Sequence, residues 1–182
     1  MADHTHNLKR RRRQVYGGYT GKSNPTERDK IMHLLDTYRC SEGFVSEYLA
    51  DWMCVSSHDS VKGGLRTIHE REAAHSRLLE ARLRELGGSP QATIPDKQRH
   101  QSVALFASAE RSDIEKLHAL ADLFAEPADF LQPITDLIEE IQEDQLSKEL
   151  LRTIIDDERM SIQWLVNAYH TLNEAEAVGS GH

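Results

Sequence analysis

Four stretches of this chain share one irregularity. Each carries apolar residues at steps of three and four, the spacing of one helix face, and each interrupts that face near its middle with polar side chains. The first stripe is Ile31, Leu34, Leu35, Tyr38, Val45, Leu49 and Trp52, and the slot between Tyr38 and Val45 holds Glu42. The second is Val61, Leu65, Ile68, Leu79, Leu83 and Leu86, with Glu72 and His75 in its middle slots. The third is Val103, Phe106, Leu117, Leu120 and Phe124, around Glu110 and Asp113. The fourth is Leu151, Ile154, Leu165, Ala168 and Leu172, around Glu158 and Ser161. An apolar helix stripe has to be buried against another, so the pattern predicts packed helices with polar groups gathered at mid-depth.

The stripes predict helices at about 25–55, 60–86, 97–125 and 145–172. Punctuation supports these limits. Asn24-Pro25-Thr26-Glu27 supplies a cap, a proline for the first turn and an acid three residues after the cap. Gly87-Gly88-Ser89-Pro90 ends the second helix, Pro95-Asp96 opens the third, Glu126-Pro127 closes it and Asp144 can cap the last. Gly63-Gly64 weakens the start of the second helix, by about 1 kcal/mol per residue. Ile134, Leu137, Ile138 and Ile141 predict a short connecting helix, and the linkers 87–96 and 126–144 are expected outside the core. No sustained alternation points to a sheet.

Charge divides the chain. Lys9 to Arg13 against Asp3 give the first thirteen residues about +4, which leaves about −12 of the net −8 for the remainder. Residues 1–23 therefore read as a flexible basic tail, 24–173 as a helical bundle and 174–182 as a flexible C-terminal tail. The acidic body is not expected to bind nucleic acid; only the basic tail could, as an electrostatic tether. Cys40 and Cys54 fall on one predicted helix about 21 Å apart, too far to pair, and free thiols point to a cytoplasmic location. Neither an apolar run long enough for a bilayer nor a secretory signal is found, so no membrane partner is expected.

Glu72-Ala73-Ala74-His75 places a carboxylate and an imidazole on one helix face, within reach of one metal ion. A lone Glu-x-x-His is commonly a solvated surface pair, a stripe can be drawn one residue off, and His75 could be a hydrogen-bonded core imidazole. Polar slots in all four helices argue for more. Buried carboxylates must be neutralised, paired or bound to a cation, and no Lys or Arg shares these slots. Arg71, Arg111 and Arg159 lie one residue off the stripes. Carboxylate with imidazole suits iron, manganese or zinc. There is no Gly-rich phosphate loop, no nucleophile elbow and no Cys-x-x-Cys pair for a rubredoxin-type centre.

In these slots the chain resembles the ferritin-like superfamily, particularly rubrerythrin-related carboxylate-bridged diiron proteins. Those proteins carry a carboxylate on the first helix, Glu-x-x-His on the second, a carboxylate on the third and Glu-x-x-His on the fourth. Here the matching residues are Glu42, Glu72 with His75, Glu110 and Glu158, and the likeness covers about residues 25–173. The segments EREAAHSRLLEARLRELGGSP and DDERMSIQWL carry it best. One position departs from the pattern: Ser161 stands where the second histidine would fall, while Asp113 lies one turn after Glu110. The resemblance implies an all-α, ferritin-like four-helix bundle with a short extra helix between helices 3 and 4. It implies metal ligands among Glu42, Glu72, His75, Glu110, Asp113, Glu158 and Ser161, iron as the first candidate, with manganese or zinc behind it. The implied activity is oxidoreduction with dioxygen or peroxide, fed by an external electron donor, with self-association as a further partner. The missing imidazole predicts a weaker second metal position. It keeps open a non-catalytic binding or stress-associated bundle with one metal or none.

Overall fold

A computed structural model describes residues 24–125 and 127–179. Among these there are six helices and no strand, as an all-α reading requires. They are α1 (Glu27–Val55), α2 (Asp59–Glu85), α3 (Asp96–Phe106), α4 (Asp113–Leu123), α5 (Pro127–Glu139) and α6 (Gln145–Gly179). The basic tail at 1–23 and the last three residues lie outside the described residues.

Three long helices frame the fold. α1 and α2 form an antiparallel pair: Arg28 donates to the Leu86 carbonyl, Ser76 to the Arg39 carbonyl, and Ser46 meets His69. α2 and α6 are antiparallel as well, with Arg71 reaching Ser161, His75 reaching Asp157 and Arg82 reaching Asp144 and Ser147. At the far end of that seam Gly64 lies directly against the Trp164 indole, where a side chain at position 64 would collide. Gly64 thus serves packing, and α2 begins at Asp59, ahead of the glycine pair.

The helix ends follow local chemistry, with one shift from expectation. Thr26, not Asn24, caps α1, in a capping box with Asp29. Glu27 is then released to the loop before α6, where it accepts the backbone N–H groups of Gln142, Glu143 and Asp144 at 2.9, 2.8 and 3.2 Å. α2 ends in a Schellman motif. Gly87 has φ +74°, its N–H bonds the Arg84 carbonyl and the Gly88 N–H bonds the Leu83 carbonyl. Asp36 then straps the following loop to α1 by accepting the N–H groups of Gln91 and Ala92.

The third predicted helix is corrected. Instead of one element over about 97–125, α3 stops at Phe106 and α4 starts at Asp113. The cause is Ser112, whose hydroxyl accepts the Glu115 N–H while the Glu115 carboxylate accepts the Ser112 N–H. This capping box begins a new helix at the polar interruption of the stripe, between Phe106 and Leu117. The segment 126–144 is also corrected: Leu131, Ile134, Ile138 and Ile141 are buried in the common core, because the apolar stripe of α5 packs against α6. At the C-terminal end, α6 continues as helix to Gly179, past the predicted limit near 172.

Candidate metal centre

Three helices supply the central polar cluster. Glu42 comes from α1, Glu72 and His75 from α2, and Glu158 from α6. Each offers one ligand atom, and all four atoms lie within 4.8 Å of one another. Glu42, Glu72 and His75 are buried, and the Glu158 side chain is 14% exposed. Helical spacing puts Glu72 and His75 on one face of α2, and the antiparallel seam brings Glu158 opposite them.

His75 has a defined orientation. Its Nε2 lies 3.1 Å from Asp157 Oδ2 on α6. Its Nδ1 faces Glu42 Oε2 at 3.5 Å and Glu158 Oε1 at 3.8 Å, is shielded from water and makes no hydrogen bond. A carboxylate at Nε2 favours the tautomer with its proton there, which leaves the Nδ1 lone pair toward two carboxylates. That juxtaposition is repulsive unless a cation or added protons lie between the groups. A cation about 2.1 Å from each donor would set tetrahedral neighbours about 3.4 Å apart, close to the spacing around Nδ1.

Glu72 carries the electrostatic strain of the cluster. Burial pushes its carboxyl well above the ordinary 4.5; the Glu42 charge and a hydrogen bond with Glu42 push the same way, against a hydrogen bond with Glu158 and the nearby His75. With no cation present, a proton on Glu72 is the local means of reducing the negative charge.

The other expected ligands are elsewhere. Glu110 is exposed in the break between α3 and α4. Asp113 is buried, but at the corner where α1 turns into α2. Its carboxylate accepts from Trp52 Nε1 at 2.7 Å, Ser56 Oγ at 2.9 Å and Ser57 N at 3.1 Å, and lies 2.8 Å from His58 Nδ1. Burial alone would raise its pKa; the hydrogen bonds from His58, Trp52, Ser56 and Ser57 outweigh burial and hold it below the ordinary 3.8. Lys116, one turn further along α4, is fully buried with Nζ 5.9 Å from the Trp52 ring centroid. Burial lowers its pKa, opposed by Asp113 and Glu115. Ser161 is buried beside the cluster, where its hydroxyl accepts from Arg71 Nη1 at 3.1 Å.

The sequence reading missed Asp157 as the residue behind His75. Its only local signal is its place next to Glu158; the partner imidazole lies 82 positions away. Arg71 runs along the α2–α6 interface, whereas Arg111 and Arg159 form exposed ion pairs with Glu115 and Asp156. No helix among the described residues is long and apolar enough to cross a membrane. Compared with protein-family models, curated proteins and solved structures, the chain matches none.

Proposed function

We propose that this chain is a ferritin-like metal-binding protein whose centre, made by Glu42, Glu72, His75 and Glu158, holds a transition-metal cation. The observation that carries the reading is the convergence of four donor groups with ligand atoms within 4.8 Å, the shielded Nδ1 of His75 facing the Glu42 and Glu158 carboxylates. Three carboxylates and one imidazole suit iron(II) or manganese(II), with zinc also accommodated. Bound iron or manganese would supply redox chemistry toward dioxygen or peroxide, with electrons from a separate donor, since the chain has no Cys-x-x-Cys pair of its own. In such a centre Asp157 keeps the His75 proton on Nε2, and Glu72 is the carboxylate that exchanges a proton for the cation.

One observation favours a second reading. The raised pKa of Glu72 allows a metal-free cluster held by a proton, as in a non-catalytic binding or stress-associated bundle. Metal analysis of purified protein, then anaerobic titration of chelated protein with iron(II), manganese(II) and zinc(II), separates the two. The metal reading expects tight uptake that is lost in His75→Ala and retained in His69→Ala and His118→Ala. Absence of uptake by the wild type leaves the proton-held cluster. Reductant-dependent consumption of peroxide by the iron-loaded protein then tests the oxidoreductase activity.

A further inference from the structure

We infer that Arg71 and Ser161 close the second metal position, so that the centre takes one cation and not two; this rests on the metal reading above. The α2–α6 seam pairs His75 with Asp157 and Arg71 with Ser161. Along it, His75 stands at one end of the Glu72–Glu158 pair and Ser161 at the other. The two ends are equivalent in backbone terms, since each is three residues from a cluster glutamate on its own helix. They differ in chemistry. The His75 end presents a nitrogen lone pair to the carboxylates. At the Ser161 end a hydroxyl is engaged by a guanidinium, whose Nη1 is also bound to the Asp157 carbonyl at 3.1 Å.

Charge agrees with that placement. An arginine stays protonated throughout the physiological range. Three cluster carboxylates, one divalent cation and one guanidinium sum to zero, and the Asp157 carboxylate behind His75 makes the sum −1; two divalent cations beside Arg71 would turn it to +1, a surplus of positive charge. Nor do the expected acids of the third stripe reinforce the Ser161 end. Glu110 is exposed in the helix break, and Asp113 is committed to Trp52, Ser56, Ser57 and His58. Arg71 therefore acts as a resident cation that determines nuclearity.

Anaerobic cobalt(II) titration of the full chain, followed by visible absorption and by metal analysis after desalting, tests this in the wild type, Ser161→His, Arg71→Gln and the double variant. About one cobalt per chain is expected for the wild type and for Ser161→His, in which Arg71 still holds its place, and about two for the double variant. About two in the wild type overturns the inference and leaves the metal reading standing, as does about one in a folded double variant. No uptake by the wild type overturns both. If the double variant does not fold, Arg71→Gln alone decides: a second, weaker equivalent is expected, and a natively helical variant that still stops at one overturns the inference.

Discussion

His75 and Asp157 face each other across the α2–α6 seam, Nε2 to Oδ2, at 3.1 Å. This contact fixes which imidazole nitrogen is turned toward Glu42 and Glu158. A carboxylate behind a ligating imidazole orients the ring and raises its basicity, and losing it typically costs 10–100-fold in metal affinity. Asp157→Ala should therefore weaken binding by about 10–100-fold with the number of bound ions unchanged. Asp157→Asn, which keeps an acceptor, should recover part of the loss. Competition against a chromophoric chelator measures both, and an Asp157→Ala affinity equal to the wild type would remove Asp157 from the site.

The acids of the four stripes should sort by position. Glu158→Gln removes a donor from the cluster and should lower affinity by at least about tenfold. Glu110→Gln changes an exposed residue in the α3–α4 break and should leave the binding curve in place. The same titration read on both variants checks this. Equal losses would mean that α3 and α4 rearrange to bring Glu110 inward.

Asp113 should matter to stability and not to metal. Asp113→Ala strands Trp52 Nε1, the Ser56 hydroxyl and the Ser57 N–H in a buried corner, at a cost of about 3 kcal/mol. Because its pKa is depressed on folding, the stability it supplies is present above the ordinary 3.8 and is lost as pH falls through the folded value. The gap in stability between the wild type and Asp113→Asn should accordingly narrow in acid. Urea melts at several pH values measure it; a gap that widens as pH falls below 3.8 contradicts this account.

Much of the frame was legible because its sequence signal was periodic. α1, α2 and α6 follow their stripes, and the polar slots of those three helices supply the whole cluster, since helical spacing alone puts slot residues on the buried face. The third stripe misled for a physical reason. Its apolar steps resume in phase beyond 107–112, while the Ser112–Glu115 box restarts the helix and leaves Glu110 in the break. Local capping outweighed long-range periodicity there. The contacts of Asp157 with His75, and of Arg71 with Ser161, depend on the register of two helices far apart in sequence, which no local pattern encodes. The burial of α5 was likewise hidden, because an apolar pattern shows which face is buried and not which helix covers it.

Two adjacent glycines should respond with opposite sign. A Cβ at position 64 would lie 1.8 Å from Trp164 Cζ2, so Gly64→Ala must displace the indole and should cost about 1–3 kcal/mol. Nothing lies within 4 Å of a Cβ at position 63, so Gly63→Ala should stabilise α2 by about 0.5–1 kcal/mol. Thermal melts of the two variants decide, and Gly64→Ala/Trp164→Ala should lose less stability than the sum of the two single losses, because removing the indole removes the collision. Equal stabilisation by both alanines would contradict the close packing of α2 on α6.

Glu72 links the centre to pH. Burial, then the charge and hydrogen bond of Glu42, raise its folded pKa well above 4.5. A group raised on folding contributes stability that is complete below its unfolded value and is lost as pH rises through the folded one. Chelated protein should therefore lose stability as pH rises above 4.5 through that raised value. Glu72→Gln has no proton to lose and should flatten this part of the profile while abolishing tight metal binding. A bound cation must displace the same proton, so its affinity should rise with pH until Glu72 is ionised. The difference in melting temperature between metal-loaded and chelated wild type should grow as pH rises above 4.5 through the raised Glu72 value and be nearly absent in Glu72→Gln. The check is a set of thermal melts across that range, with and without chelator. If chelated wild type and Glu72→Gln share one pH profile, Glu72 does not hold the proton. If Glu72→Gln still binds metal tightly, Glu72 is not a ligand.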